Sequence, residues 1–304
     1  MAVEYAGLKA NVAGKGWSAL GLWRASVVAL ITLVTVPIQS TVLVILPRYW
    51  WVMPTLWHRT ACRLIGIRIE RLAPRRHGKP VLYVANHISW LDILVLGGVL
   101  PKASFVAKAE VQTWGVFGWL AGLHRTLYVD RARRTASAAQ RDSLAERVQE
   151  GSSLILFPEG TSTDGMKVLK FKSSLFSVAE RADEAAHHDL IIQPITIAYT
   201  EVNGMPLTRA LKPIVAWLGD AELVGHLKAL IGVGRVAATV EFHEPVTYTE
   251  MGCRKVLATH CETAIRAGLE RAHRNEARFG PQRLPELVAP EAVDTGFEDG
   301  SLPA

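Results

Sequence analysis

The sequence predicts an α/β fold: a mostly parallel central sheet flanked by helices, preceded by an N-terminal membrane-associated helical segment. Three observations predict it. From about Leu72 onward, short apolar runs rich in Val, Ile, Tyr and Phe alternate with helical stretches, the pattern of strand–helix units. One uncharged run near the N-terminus is long enough to reach across a bilayer. The 304 residues are 49% hydrophobic and 20% charged with three cysteines, which excludes a disordered chain and a disulfide scaffold.

The first element is Ser26–Leu46, SVVALITLVTVPIQSTVLVIL, which carries no charge. At ~1.5 Å per residue, a helix of this length matches the roughly 30 Å hydrocarbon core. Trp17 and Trp23 precede it, and Tyr49, Trp50, Trp51 and Trp57 follow, an aromatic belt on each side. Pro37 removes a helix hydrogen bond in mid-run, and Gln39, Ser40 and Thr41 add polar groups near the centre. A kinked or re-entrant hairpin in one leaflet is therefore the rival to a simple span. A signal peptide would show an A-x-A-like cleavage site, and none is evident. A core helix would be amphipathic, whereas this run is apolar all round. Arg59, Arg63, Arg68, Arg71, Arg75 and Arg76 come next, which places the bulk of the chain at the cytoplasmic face. Residues 1–60 are expected to be a membrane-anchoring helical segment, 61–280 the α/β domain, and 281–304 a loose acidic tail.

Within the domain, Val81–Ala85, Ala103–Ala107, Thr126–Asp130, Ser153–Phe157, Ile191–Tyr199 and Val236–Phe242 read as buried strands. Leu91–Leu100, Ala136–Gln149, Ser173–Arg181 and Thr249–Arg274 read as helices, the last with Thr249 as its N-cap. Pro194 inside its run predicts an edge strand or a bulge. Cys62, Cys253 and Cys261 fit no zinc spacing and read as reduced packing residues. No metal is expected.

The densest polar cluster is Asn86-His87-Ile88-Ser89-Trp90-Leu91-Asp92, at a strand-to-helix turn. A carboxylate five residues beyond the imidazole can return to one ring nitrogen, fixing the tautomer and leaving the other as a base. The same spacing also fits a capped helix with an incidental histidine. A second cluster, Phe157–Gly165, follows another apolar strand and would share a sheet edge with His87 if those strands are parallel. It is no phosphate-binding P-loop, since G-x-x-x-x-G-K-[ST] is missing. Lys167, Lys170 and Lys172 follow it. Arg131 and Lys108 each stand just beyond a strand. No G-x-S-x-G elbow occurs and no cysteine borders a cluster. A base at His87 would thus activate a substrate hydroxyl rather than a protein nucleophile.

Asn86–Asp92 resembles the N-H-x₄-D signature of the glycerolipid (lysophospholipid) acyltransferase family. Gly122–Arg131, Phe157–Ser162 (F-P-E-G-T-S here) and Gln193-Pro194-Ile195-Thr196 resemble its other three motifs, in family order. The resemblance implies an O-acyltransferase of membrane lipid biosynthesis. It would move a fatty acyl group from an acyl carrier protein or coenzyme A thioester to a lysolipid hydroxyl, with no cofactor and no acyl-enzyme. It implies His87 as the base and Asp92 as its orienting partner. Asn86, Lys108, Arg131, Glu159, Gly160, Thr161, Ser162 and Lys172 become substrate-binding candidates. Its first expectation for the acceptor is lysophosphatidate, giving a 1-acyl-sn-glycerol-3-phosphate acyltransferase. Many such enzymes, however, carry arginine where Ser162 stands, and Gly160–Phe176 looks more like the bacterial lyso-ornithine lipid acyltransferases.

The net charge of +6 and a pI near 9.3 imply an anionic partner. A bilayer and charged thioester donors satisfy that. Nucleic acid is excluded, because basic and aromatic residues do not interleave along any strand.

Overall fold

The computed structural model describes residues 17–74, 77–129, 138–218 and 222–274. The expected acidic tail lies outside them.

Strands β1 (Ile67–Leu72), β2 (Val81–Ala85), β3 (Ala103–Lys108), β4 (Leu127–Val129), β5 (Ser153–Leu156), β6 (Ile191–Val202) and β8 (Val236–Phe242) form one sheet in the order β1-β8-β6-β2-β5-β3-β4. The short β7 (Met205–Pro206) and β9 (Val246–Thr247) add to β6. Five of the six pairs along that order are parallel, and β6–β8 is antiparallel. The expected mostly parallel sheet is what the chain forms. Alternate side chains feed two cores. Leu82, Val84, Leu154 and Leu156 face one layer with α9 (Arg254–His273), while Ala85, Ile155 and Ile197 face the other with α3 (Leu91–Val99). Along the chain, α4 (Val116–Leu123) links β3 to β4, α5 (Ala138–Gln149) links β4 to β5, and α7 (Leu223–Ile231) precedes β8. Each fully buried Leu or Ile stabilises the fold by about 1.5–3 kcal/mol. Parallel pairing of β2, β5, β3 and β4 puts the segments after them on one sheet edge.

The N-terminal part is a helical hairpin. Helix α1 (Ala19–Ile45) runs unbroken through Pro37, turns at Pro47–Tyr49, and α2 (Val52–Ile65) packs back on it. The chain therefore reverses after Leu46, not at Pro37. The hydroxyls of Thr32, Thr35, Ser40 and Thr41 donate to carbonyls four residues back, so they need no partner outside the helix. Helix α1 is long and apolar enough to cross a membrane, with only 6% of its most apolar stretch buried. It is nevertheless fastened at three levels, to the domain through Ile231 and Leu123 and to α2 through Trp57. The Arg24 guanidinium donates to the Ile231 carbonyl, the Trp57 indole donates to Thr32 Oγ1, and Gln39 Nε2 donates to the Trp50 and Leu123 carbonyls.

Three sequence expectations are corrected. Pro194 is neither on an edge nor in a bulge: it pairs with Val84 of β2, inside the sheet. On its other side β6 changes partner from β9 to β8, and the His243 N–H donates to the Pro194 carbonyl. The donor that proline lacks is supplied by Gln193 Nε2, which reaches the His243 carbonyl at 2.5 Å. The bulge comes later, between Tyr199 and Glu201. The N-cap near residue 249 is Thr247, in a capping box with Glu250, and it starts a separate turn, α8 (Tyr248–Met251). Finally, Ser173–Phe176 is a 3-10 turn, and the helix beyond it, α6, runs Ser177–Ala185.

Candidate active site

His87 stands in the turn between β2 and α3, and Asp92 lies in the first turn of α3. The helix brings the carboxylate back over the turn, so that Asp92 Oδ2 lies 2.8 Å from His87 Nδ1. The same oxygen accepts the Ile88 and Ser89 N–H groups at 2.6 and 3.0 Å. The other carboxylate oxygen accepts from the Tyr199 hydroxyl at 2.8 Å. Asp92 is wholly buried, and the His87 side chain is 18% exposed, so the dyad meets solvent through the imidazole. A buried carboxylate with four partners in the first turn of a helix is held in one geometry.

The segment after β5 closes over this turn. The His87 N–H donates to Glu159 Oε1, and the Leu169 N–H donates to Glu159 Oε2, both at 2.8 Å. The Thr163 N–H and hydroxyl both reach the His87 carbonyl. The Phe157 ring stacks on the imidazole at 4.4 Å. Gly160 takes a φ of +75°, the left-handed turn that glycine enters without strain. Burial raises the Glu159 carboxyl to about 7, against the opposing pull of its two N–H partners. The structure thus brings His87, Asp92, Glu159, Gly160 and the exposed Thr161 to one place.

Other expected site residues are placed differently. The Asn86 amide is buried and joined both ways to the Ile197 backbone at 2.9 Å, a clamp between β2 and β6. The Ser162 hydroxyl is buried and donates to the Trp217 carbonyl. Both side chains therefore bind the protein's own backbone. Lys108 is exposed at the end of β3, two strands from β2 and so roughly 10 Å along the edge. Lys172 is exposed, its N–H bonded to the Pro158 carbonyl. Arg131 lies outside the described residues. Among the described residues, no three His, Cys, Asp or Glu side chains are grouped as a metal site.

Three residues matter here that sequence reasoning passed over. Tyr199 is fully buried, and burial and Asp92 hold its hydroxyl protonated as a donor. The His226 imidazole accepts the Trp90 indole N–H at 2.9 Å and so orients the ring between His87 and Asp92 in the chain. Lys212 is buried behind the loop, 3.0 Å from His273 Nε2 and 3.4 Å from the Gly165 carbonyl, and burial lowers it to about 8. Only Tyr199 had a visible signal, as the end of the fourth motif's strand.

Fold and dyad together put a part-buried His–Asp pair at the carboxyl edge of a mostly parallel sheet. The profile of the family described as Acyltransferase matches residues 66–198, the stretch that holds His87, Asp92 and Glu159. A lyso-ornithine lipid O-acyltransferase of Brucella abortus (strain 2308) is 44% identical over 221 residues, 72% of this chain and 82% of that protein. Another of that name from Rhizobium meliloti (strain 1021) is 36% identical, over 87% and 91% of the two chains. A 1-acyl-sn-glycerol-3-phosphate acyltransferase of Neisseria gonorrhoeae is 30% identical, over 67% and 74%. The chain belongs to the acyltransferase family and is an acyltransferase.

Proposed function

We propose that the chain transfers a fatty acyl group from an acyl carrier protein or coenzyme A thioester to the hydroxyl of lyso-ornithine lipid, at the cytoplasmic face of a membrane. The observation that carries the chemistry is the His87–Asp92 pair, buried on the carboxylate side and open on the imidazole side. With Nδ1 turned to Asp92, Nε2 takes the proton of the acceptor hydroxyl. The alkoxide forms the new C–O bond at the thioester carbonyl. The tetrahedral oxyanion then collapses, the C–S bond breaks, and the imidazolium returns its proton to the leaving thiolate. The exposed Thr161, in the loop after β5, is the source of a donor for the oxyanion. Direct transfer needs no acyl-enzyme.

Two findings support the acceptor. The relatives with 44% and 36% identity carry the lyso-ornithine name, and the glycerophosphate-type relative is more distant. Ser162 offers no cation, and its hydroxyl is bound to Trp217. Lysophosphatidate is the second reading, favoured by exposed Lys170 and Lys172 beside the site loop. Arg59, Arg63, Arg68 and Arg71, all exposed after α1, support the cytoplasmic face.

The test is acyl transfer to both acceptors from one labelled acyl group, offered as carrier-protein and as coenzyme A thioester. We expect at least a tenfold preference in kcat/KM for lyso-ornithine lipid, about 1.4 kcal/mol in the barrier. The reverse preference would assign the enzyme to lysophosphatidate. Substantial turnover by His87→Ala would remove the base assignment whichever acceptor wins.

A further inference from the structure

Helix α4 is held the opposite way from an ordinary surface helix. Such a helix buries its large apolar side chains and shows polar ones to water. In α4 the buried residue is Gly118, while Val116 and Trp119 are 66% and 54% exposed and Phe117 is exposed between them and the glycine. Trp114, just before the helix, is exposed too. From Val111 to Leu123 the chain carries no charged side chain. The helix is fastened by its backbone instead. The Tyr128 hydroxyl donates to the Gly118 carbonyl, and Gln39 Nε2 of α1 donates to the Leu123 carbonyl, both at 3.0 Å. A Cβ on Gly118 would lie 2.5 Å from the Gln112 carbonyl oxygen, so the seat admits only glycine. This close backbone seat leaves the bulky residues facing outward.

Scattered exposed apolar residues are normal, whereas a contiguous patch marks an interaction surface. The neighbouring helix indicates what covers this one. Leu30, Leu33, Val34 and Ile38 of α1 are exposed, and α1 meets α4 where Gln39 bonds to Leu123. The two helices also wall one cavity of about 500 Å³, lined by Val28 and Val36 of α1, His58 of α2, Trp90 beside the dyad, and Phe117 and Leu120 of α4. An apolar medium that takes up the outer face of α1 therefore reaches α4. Two of the nine tryptophans, Trp114 and Trp119, stand in this short stretch, and tryptophan favours the membrane–water interface. A helix of eight residues is far too short to cross a hydrocarbon core of roughly 30 Å, so it would lie in the interfacial layer.

We propose that α4 is a second contact with the lipid leaflet, its Val116, Phe117 and Trp119 side chains lying among acyl chains beside α1. The membrane then holds the sheet domain directly as well as through the hairpin. The inference rests on the membrane location proposed above. The test is spin-label depth in the full chain, reconstituted in vesicles of phosphatidylcholine and phosphatidylglycerol. Cys253 is exposed, and Cys62 and Cys261 are buried, so a nitroxide on Cys253 serves as the aqueous reference. In a Cys253→Ser background, Leu33→Cys, Val116→Cys and Trp119→Cys carry one label each. A cooperative thermal transition in detergent micelles shows that each labelled chain is folded. Collisions with oxygen and with an aqueous nickel chelate then give the depth. The labels on α4 are expected about 5–10 Å into the boundary between headgroups and acyl chains, open to oxygen and shielded from nickel, as is the label on α1. Both α4 labels in water, with the α1 label in hydrocarbon, would overturn the proposal and leave the membrane location standing. All three labels in water would remove both. Shielding of the α4 labels from oxygen as well as nickel would mean that protein, such as a second copy of the chain, covers this face, and would also overturn the proposal.

Discussion

The His87–Asp92 turn and the hairpin cavity are neighbours built on opposite terms. Around Asp92 both carboxylate oxygens have donors, drawn from His87, Ile88, Ser89 and a tyrosine 107 residues away. Around His58 the polar atoms are as deeply buried, yet two of them have no partner among the described residues. A satisfied buried network is rigid and resists change, while an unsatisfied one gains stability from whatever completes it. The two regions are therefore separable by what each substitution does.

The largest effect is expected at the satisfied end. Asp92→Asn should lower kcat by about 10²–10⁴-fold, read by acyl transfer at saturating substrate, since the wrong tautomer of His87 would then be favoured. A change in KM alone, with kcat intact, would mean that the dyad is not the base.

Titration separates the two regions by sign. The Glu159 carboxyl rises from 4.5 to about 7 through burial, so its contribution to stability is full below about pH 4.5 and is lost as pH rises through 7. The His124 ring falls from 6.5 to about 4, through burial first and Arg147 second. Its contribution is full above about pH 6.5 and is lost as pH falls toward 4. Each is on the order of 3 kcal/mol. Equilibrium unfolding in urea across pH 4–8 should show Glu159→Gln flattening the upper limb and His124→Phe flattening the lower.

A smaller change is expected from Tyr199→Phe, which leaves Asp92 one donor short. It should cost about 1–3 kcal/mol in unfolding free energy. It should also lower kcat about tenfold with KM little changed, and shift the pH profile of kcat/KM through the imidazole. An unshifted profile would make the tyrosine a packing residue only. Smallest of all, His58→Phe should leave thermal stability of the ligand-free protein unchanged or raise it by up to about 1 kcal/mol, because it deletes an orphaned nitrogen. A loss of several kcal/mol would show that the cavity end is structurally satisfied after all.

Much of this was legible from local pattern. Strands β2 and β8 begin and end where the apolar runs do, and the His87–Asp92 geometry follows from a strand entering a helix. What stayed hidden depends on non-local neighbours. Tyr199 reads as one more strand residue until β6 is known to lie beside β2. Pro194 reads as an edge marker because its replacement donor is the side chain of the residue before it. Strand β1 was masked by its charges: Ile-Arg-Ile-Glu-Arg-Leu alternates, but the arginines were absorbed into a basic cluster. Helices α4 and α7, of eight and nine residues, escape the sequence pattern because so short a stretch carries weak periodicity. Asn86 and Ser162 look like substrate ligands in sequence, where the backbone carbonyls they actually serve cannot be seen.

Helix α1 is bolted to the domain at two levels, by Arg24 to Ile231 and by Gln39 to Leu123, and to its hairpin partner α2 by Thr32. Such a helix cannot swing like a tether; it works as a keel. Whatever tilt is imposed on it is transmitted to the whole body rather than taken up by a flexible arm.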